Sequence, residues 1–312
     1  FHLLNFLMKH ELKVTILLLI LFFVSQVVGL AIIDRYIDHT VTEATGVATF
    51  KDLPYQVERP EVEGGASFGY IFFAILIGTA ILLLLIRFKK VMIIKAWFFI
   101  VAWLCLAFAF SAFISSFVAS ILAFIVAVWR TYRPNVIIHN VAELFIYGGL
   151  AAIFVPMINL FAAFMLLLFI SIYDMFAVWH SKHMVKLAKF QTKSNIFAGM
   201  LIPYGVKAIS AKKAKKMTKT EKLVKVKTRH AILGGGDIGF PLIFAGVVMK
   251  GLMLQNTLLI GFLKTLIIPV CVTIALMFLF MKGQKDKFYP AMPFLSMGCV
   301  VGYLIILGIN LI

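Results

Sequence analysis

Three acidic residues lie inside long apolar stretches of the sequence: Glu143, Asp174 and Asp237. Placing a carboxylate at the centre of a membrane helix costs about 2.5–3.5 kcal/mol on insertion scales, so each one needs a chemical reason. Two carboxylates a few ångströms apart share one proton, because both cannot ionise cheaply. One acid then serves as a general base toward water and the other as a general acid toward a carbonyl oxygen. Asp174 and Asp237 are the candidates for such a pair.

The two aspartates are predicted to lie at the same depth. Asp174 comes five or six residues before its apolar stretch ends near His180, and Asp237 comes about seven residues after the next one begins near His230. At ~1.5 Å rise per residue, both carboxylates lie roughly 8–11 Å inside the same membrane face. Two neighbouring antiparallel helices would therefore bring the acids together.

The composition of the chain indicates that transmembrane helices carry these acids. Hydrophobic residues make up 62% of the chain and charged residues 14%, against roughly 25% charged in soluble domains, and the mean hydropathy is +1.03. We therefore predict an all-α, polytopic integral membrane protein of the cell membrane. The run 92–129 is too long for one crossing, so we divide it near residues 111–116. Nine transmembrane helices are predicted, at residues 14–33, 68–86, 92–109, 111–129, 137–156, 158–179, 231–250, 254–281 and 293–312.

The charges predict the orientation of these helices. Lys and Arg concentrate in segments that nine spans place on one side, at residues 9–13, 87–95, 130–133, 181–229 and 282–287. By the positive-inside tendency that side is cytoplasmic, so the N-terminus is cytoplasmic and the C-terminus extracytoplasmic. Loop 34–66 carries seven acidic and three basic residues, which fits the other side. The net charge of +17 then reflects loops near anionic lipid headgroups, and we expect no nucleic-acid partner.

The chain divides into three parts: residues 1–180 with helices one to six, the basic cytoplasmic loop 181–229, and residues 230–312 with helices seven to nine. The loop holds fourteen Lys and Arg residues and one acid, Glu221, and its second half is expected to be solvated and flexible. Its stretch "NIFAGMLIPYG", residues 195–205, is too short to span. We predict membrane contact for it, as an interfacial helix or a lipid-facing anchor, and leave open a role as a plug over the acids.

Glycines and a proline flank the second aspartate. Gly234, Gly235 and Gly236 remove side chains on the approach to Asp237, which lets another helix or an extended peptide come close to the backbone. Pro241 removes a helical N–H and is expected to bend the span beside the acid. The alternative is that these glycines only pack membrane helices.

Three motifs occur in order, in the sixth, seventh and ninth predicted spans. They are "YD" at Tyr173 and Asp174, G-x-G-D at Gly234 to Asp237, and "PAMP" at residues 290–293. Together they resemble presenilin and signal peptide peptidase, the G-x-G-D intramembrane aspartyl proteases, over essentially the whole chain. The predicted cytoplasmic N-terminus is similar to presenilin, so the chain looks most like a microbial presenilin homologue. Two positions depart from the family pattern: Gly235 and Met292 stand where Leu is common.

The resemblance implies roles for the matched positions only. Asp174 and Asp237 would be the catalytic pair, with transmembrane helices of membrane proteins as substrates in the lipid bilayer and with no cofactor or metal. The positions expected to bind substrate are Tyr173, Gly234, Gly235, Gly236, Pro290, Ala291 and Met292. The prolines around "AM" are expected to keep the start of the last span irregular, which a membrane tolerates only beside protein or a water-filled cavity.

Two further motif matches indicate other functions, but each lacks the structural context that its motif requires. "GGGDIG" matches G-x-G-x-x-G but follows a basic loop instead of a strand, and Ser67 in "GASFG" lacks the strand–turn–helix context of a serine hydrolase. The three cysteines are too dispersed for a metal cluster and are expected to pack in the core.

His139 and Glu143, four residues apart, are predicted to hold neighbouring spans together, with a role in substrate or proton handling as the alternative. The non-enzyme alternative for the chain is a proton- or ion-coupled transporter, although no internal repeat is visible.

Overall fold

The computed structural model describes residues 12–59, 67–133, 135–180, 197–204, 229–282 and 289–311, and these are mostly helical. The helices are α1 Leu12–Tyr36, α2 His39–Thr45, α3 Ser67–Arg87, α4 Val91–Ser111, α5 Ser116–Tyr132, α6 Val136–Met157, α7 Leu160–Met175, α8 Gly235–Leu252, α9 Leu258–Thr265, α10 Ile267–Lys282 and α11 Met292–Leu311. A π-helical turn, Phe176–His180, extends α7. The strands are β1 Gly199–Tyr204 and β2 Arg229–Gly234.

Eight of the described helical segments are long and apolar enough to cross a membrane, with α7 counted together with its π turn and α9 together with α10. Helix α5, the fourth of the predicted spans, has 17 residues and is shorter than the others. Most predicted bounds agree with the observed helices to within a few residues, because the length of each apolar run sets them. The molecule is a multi-pass membrane protein; the count of nine crossings remains a prediction.

A small sheet between α7 and α8 corrects the all-α prediction. Strands β1 and β2 pair antiparallel, with Gly199 opposite Gly234 and Tyr204 opposite Arg229. Residues 231–234, predicted as the first turn of the seventh span, are therefore extended, and that helix begins at Gly235. The predicted interfacial helix or lipid anchor at 195–205 is also wrong, because 199–204 form a strand whose Met200 and Ile202 side chains are buried in the protein. The second half of the basic loop, residues 211–229, was predicted to be flexible. Arg229 is instead the first residue of β2, and residues 211–228 lie outside the described residues.

Helix α8 is the central helix of the assembly, and α3 is peripheral. Two thirds of the apolar window of α8 is buried in the protein, against 6% for α3. Helix α8 packs against α1, α6, α7 and α11. Exposed apolar side chains such as Phe73 and Ile77 on α3 are suited to contact with lipid, since lipid is as apolar as a protein core. Burial begins at Ile238, one residue after Asp237, and continues along most of α8, whereas the first turn with Asp237 is only partly buried.

Helices α4 and α6 approach closely at Gly149. A Cβ atom added there would lie 1.9 Å from the backbone oxygen of Cys105, so any side chain would push the two helices apart. Cys105 and Cys299 are buried free thiols, which agrees with the core role predicted for the cysteines. The Gly149 contact thus fixes the distance of α6 from α4.

We expect Gly149→Ala to destabilise the protein by about 1–3 kcal/mol, the usual cost of overpacking. Gly78→Ala on α3 is the matched control, because no atom lies within 4 Å of the added Cβ and alanine is the better helix former. Thermal unfolding of both variants in detergent measures the difference. Equal melting temperatures for the two variants would contradict a backbone contact at Gly149.

Candidate active site

The three motif-bearing segments meet at one end of the helix assembly. Asp174 lies in the last turn of α7, Asp237 lies in the first turn of α8, and "PAMP" leads into α11. Helices α7, α8 and α11 all pack against one another. Their order along the chain places the end of the first helix and the starts of the other two on the same side.

Asp174 is bonded to the beginning of α11. Its side chain is 8% exposed, and its Oδ2 atom accepts the N–H of Met292 at 3.1 Å. The carbonyl of Ala291 accepts the N–H of Leu295, so Met292 is at the first helical position, where an N–H has no partner within the helix. The hydroxyls of Ser171 and Ser296, 2.8 Å apart, join the same two helices. Asp174 therefore accepts a hydrogen bond from the N-terminus of α11, where the helix dipole favours a negative charge.

Asp237 lies in the first turn of its own helix, α8, and is half-buried. The buried side chain of Gln26 on α1 donates through Nε2 to the carbonyl of Ile238 at 2.9 Å, which ties this turn to α1. The positive end of the α8 dipole also favours a carboxylate at this position. Each of the two acids thus lies at a helix N-terminus: Asp237 at that of α8, and Asp174 at that of α11.

Gly235 is one of the two departures from the family pattern, and its surroundings explain it. A Cβ atom at this position would lie 2.6 Å from the hydroxyl oxygen of Tyr147 on α6. Tyr147 is 5% exposed and donates its hydroxyl hydrogen to Glu143. A leucine at 235 would displace this tyrosine, so the close approach predicted for the glycines is confirmed at Gly235, with α6 as the neighbouring helix.

A buried polar cluster beside the acids was only partly visible in the sequence. Glu143, 1% exposed, forms an ion pair with Arg130 of α5 and accepts the N–H of Gly199 at 3.1 Å. Nε2 of His139 lies 2.8 Å from the carbonyl oxygen of Gly199. The prediction that Glu143 joins neighbouring spans is therefore confirmed, and the cluster also reaches strand β1. Arg130, assigned from the sequence to a surface segment, is buried.

Asn140 completes the contact with β1, and the sequence analysis missed it. Its Nδ2 donates to the carbonyl of Leu201 at 2.9 Å, and its Oδ1 accepts the N–H of Leu201 at 3.0 Å. The signal that could have revealed the cluster was a set of polar residues at the end of one apolar span and the start of the next, at positions 130, 139, 140 and 143.

The other predicted site residues differ in where they lie. Pro290, Ala291 and Met292 are buried next to Asp174, whereas the Tyr173 side chain lies beside Thr79 on α3. Gly236 is exposed. Among the described residues, no group of three His, Cys, Asp or Glu side chains is arranged to hold a metal ion.

The fold defines a multi-pass membrane protein in which Asp174 and Asp237 lie in terminal turns of two apolar helices that pack against each other. The family profile described as "Signal-peptide peptidase, presenilin aspartyl protease" matches residues 19–310. The chain belongs to this signal peptide peptidase and presenilin aspartyl protease family.

Known structures agree at the level of the fold. A presenilin family intramembrane aspartate protease solved in space group C222 superimposes with a TM-score of 0.60 at 16% identity, covering 95% of this chain and 99% of that chain. A structure of a presenilin family intramembrane aspartate protease in space group P2 gives 0.58 at 17% identity, covering 94% and 96%. A search of curated protein sequences finds no relative that matches.

Proposed function

We propose that this chain is an intramembrane aspartyl protease that hydrolyses peptide bonds within transmembrane segments of membrane proteins. The observation that carries the proposal is the position of Asp174 and Asp237 at the adjoining ends of α7 and α8, each at a helix N-terminus. Membership of the aspartyl protease family supports the same conclusion.

The proposed reaction uses the two aspartates as one unit. The ionised aspartate takes a proton from water as the water oxygen attacks the peptide carbonyl carbon, while the protonated aspartate donates to the carbonyl oxygen. Collapse of the tetrahedral intermediate breaks the C–N bond, and a proton passes to the leaving nitrogen. The N–H of Met292, which Asp174 accepts, helps to hold that carboxylate in position.

A membrane substrate must lose helical structure before this reaction. In a helix every peptide group is bonded within the segment, so a short stretch has to unwind, and its freed N–H and C=O groups need new partners in the membrane. Addition of the unwound segment to the edge of a sheet supplies them. Strand β2, which leads directly into the helix that carries Asp237, is the proposed docking edge.

Along each strand of an antiparallel pair, successive residues direct their peptide groups alternately toward the partner strand and away from it. This alternation supports β2 as the docking edge. Leu201 of β1 directs both its N–H and its C=O to Asn140, so it faces away from β2. Its opposite residue, Ile232, must then direct its own peptide groups away from β1. The same holds for Gly234, opposite Gly199. A substrate strand on this outer edge would approach Asp237, which follows Gly234 by three residues.

We further propose that the protein spans the cell membrane nine times, with a cytoplasmic N-terminus and an extracytoplasmic C-terminus. Helix α5, the shortest of the candidate spans, would be the fourth crossing. The aspartates then lie toward the cytoplasmic face, on the side of the basic segments.

Incubating the purified full-length chain in lipid vesicles with a helical transmembrane peptide tests the function. We expect cleavage within the apolar segment, with new termini identified by mass spectrometry. A peptide that stays intact over hours in several lipid compositions would contradict the protease assignment and favour the transporter alternative.

A further inference from the structure

The outer edge of β1 is occupied by side chains of α5 and α6. Phe197, Gly199 and Leu201 are alternate residues, and the backbone of each is bonded on this side. Arg130 donates to the carbonyl of Phe197 at 3.1 Å, Glu143 and His139 bond Gly199, and Asn140 bonds Leu201. These side chains take the place that a third strand would have in a larger sheet.

The next outward-facing position on β1 is Pro203. It follows Leu201 by two residues and lies opposite His230. A proline has no N–H, so this position needs no donor to be satisfied on that edge. Every peptide N–H that β1 directs away from β2, at Gly199 and Leu201, therefore meets a side-chain acceptor on α6.

Such an anchor matters because an isolated pair of strands is only marginally stable. Strand β2 is joined to Asp237 through Gly234 and the start of α8, so the chain itself fixes its position along the strand direction. The position of β2 perpendicular to the strand direction is set by its pairing with β1. The position of β1 is in turn set by its hydrogen bonds to α6. The bonds of Asn140 and Glu143 thus determine where the outer edge of β2 lies relative to the two acids.

We propose that Asn140 and Glu143 are positioning residues that hold the sheet ready for a substrate strand. This inference rests on the proposed protease function. With the anchor intact, a substrate segment pairs with an edge that is already ordered. Without it, part of the binding free energy must order the sheet first, and the affinity for substrate falls.

Replacing Asn140 with leucine tests the inference, because it removes both bonds to Leu201 while it keeps similar side-chain volume. We expect the KM for a transmembrane peptide to rise about tenfold, from the loss of two ordinary hydrogen bonds, while kcat changes by less than about threefold. Asn140→Ala, measured in parallel, guards against a leucine that does not fit. The control is Asn135→Ala at the N-cap of the same helix, where the Asn135 Oδ1 accepts the N–H of Ile137 and does not bond β1; its KM should equal that of the wild type.

The outcomes distinguish failure of the positioning role from failure of the proposed protease function. An unchanged KM in both Asn140 variants, or a fall in kcat at unchanged KM, overturns the positioning role, because a smaller folded fraction lowers the rate without altering KM. Loss of folded protein in both variants, with Asn135→Ala folded, also overturns it, since the bonds would then serve the fold itself. A wild-type chain that leaves the peptide intact overturns the protease function first and this inference with it.

Discussion

Replacing either Asp174 or Asp237 with asparagine is expected to abolish proteolysis and leave the protein folded. Asparagine has nearly the shape of aspartate but cannot exchange a proton, so neither the activation of water nor the protonation of the carbonyl oxygen can occur. A loss of 10⁴-fold in rate corresponds to about 5.5 kcal/mol of transition-state stabilisation. Turnover of a transmembrane peptide measures the rate, and thermal unfolding in detergent measures the fold.

Asp38 provides the matched control. It lies in the predicted extracytoplasmic loop and caps α2 through a bond from the N–H of Val41, and asparagine caps a helix about as well. Asp38→Asn should therefore keep wild-type turnover. Substantial cleavage by either the Asp174 or the Asp237 variant would refute the two-aspartate mechanism.

The pH dependence of the wild type should show the shared proton. Activity is expected to fall on both sides of an intermediate pH, since the pair works only when it is singly protonated. Hydrogen bonds from the Thr40 hydroxyl and the Val41 N–H lower the pKa of Asp38 in the predicted extracytoplasmic loop, so its own titration is displaced toward lower pH. A flat profile, measured where chemistry limits the rate, would contradict a shared proton.

Replacing Pro290 with leucine is expected to lower cleavage roughly 10–100-fold, the range for loss of one hydrogen bond to a charged group. Pro290 is buried just before α11. A leucine there would release the backbone φ angle that Pro290 fixes, so the chain just before α11 could shift and carry the N–H of Met292 away from Asp174. Asp174 would lose the donor that it has at 3.1 Å.

Thermal stability distinguishes this effect from general damage. Because leucine is apolar and favours helix, the melting temperature should change little. Pro54→Leu, in the predicted extracytoplasmic loop, is the control and should keep full activity. If Pro290→Leu cleaves like the wild type, the irregular start of α11 has no part in catalysis.

Much of the helical architecture was predictable from the sequence, because lipid imposes a length on each apolar run. The segment around Asp174 agrees with the predicted span, and Asp174 and Asp237 were singled out because a carboxylate in lipid is costly. The prediction that both acids lie near the same end of neighbouring helices follows from their distance to the basic loop.

The sheet was not predictable in the same way. "NIFAGMLIPYG" is a short apolar run, and periodicity alone does not distinguish a strand from a helix at that length. What makes residues 199–204 a strand is the set of partners on α6, about sixty positions earlier, and nothing within the short apolar run itself points to them. Arg130 was misassigned for a related reason: a basic residue at a helix end usually faces solvent, and only the fold brings Glu143 beside it.

The pairing of β1 with β2 also implies an order of assembly. The strands are separated by residues 205–228, so their contact closes a long loop, and the entropy of closure must be overcome before any pairing is gained. The partners that make the pairing favourable, on α5 and α6, are synthesised earlier, and α8 follows β2. The docking edge can therefore form only when both halves of the chain are in the membrane together. Under the proposed function, a nascent chain would carry its first aspartate for some time before the edge proposed to receive a substrate strand has formed.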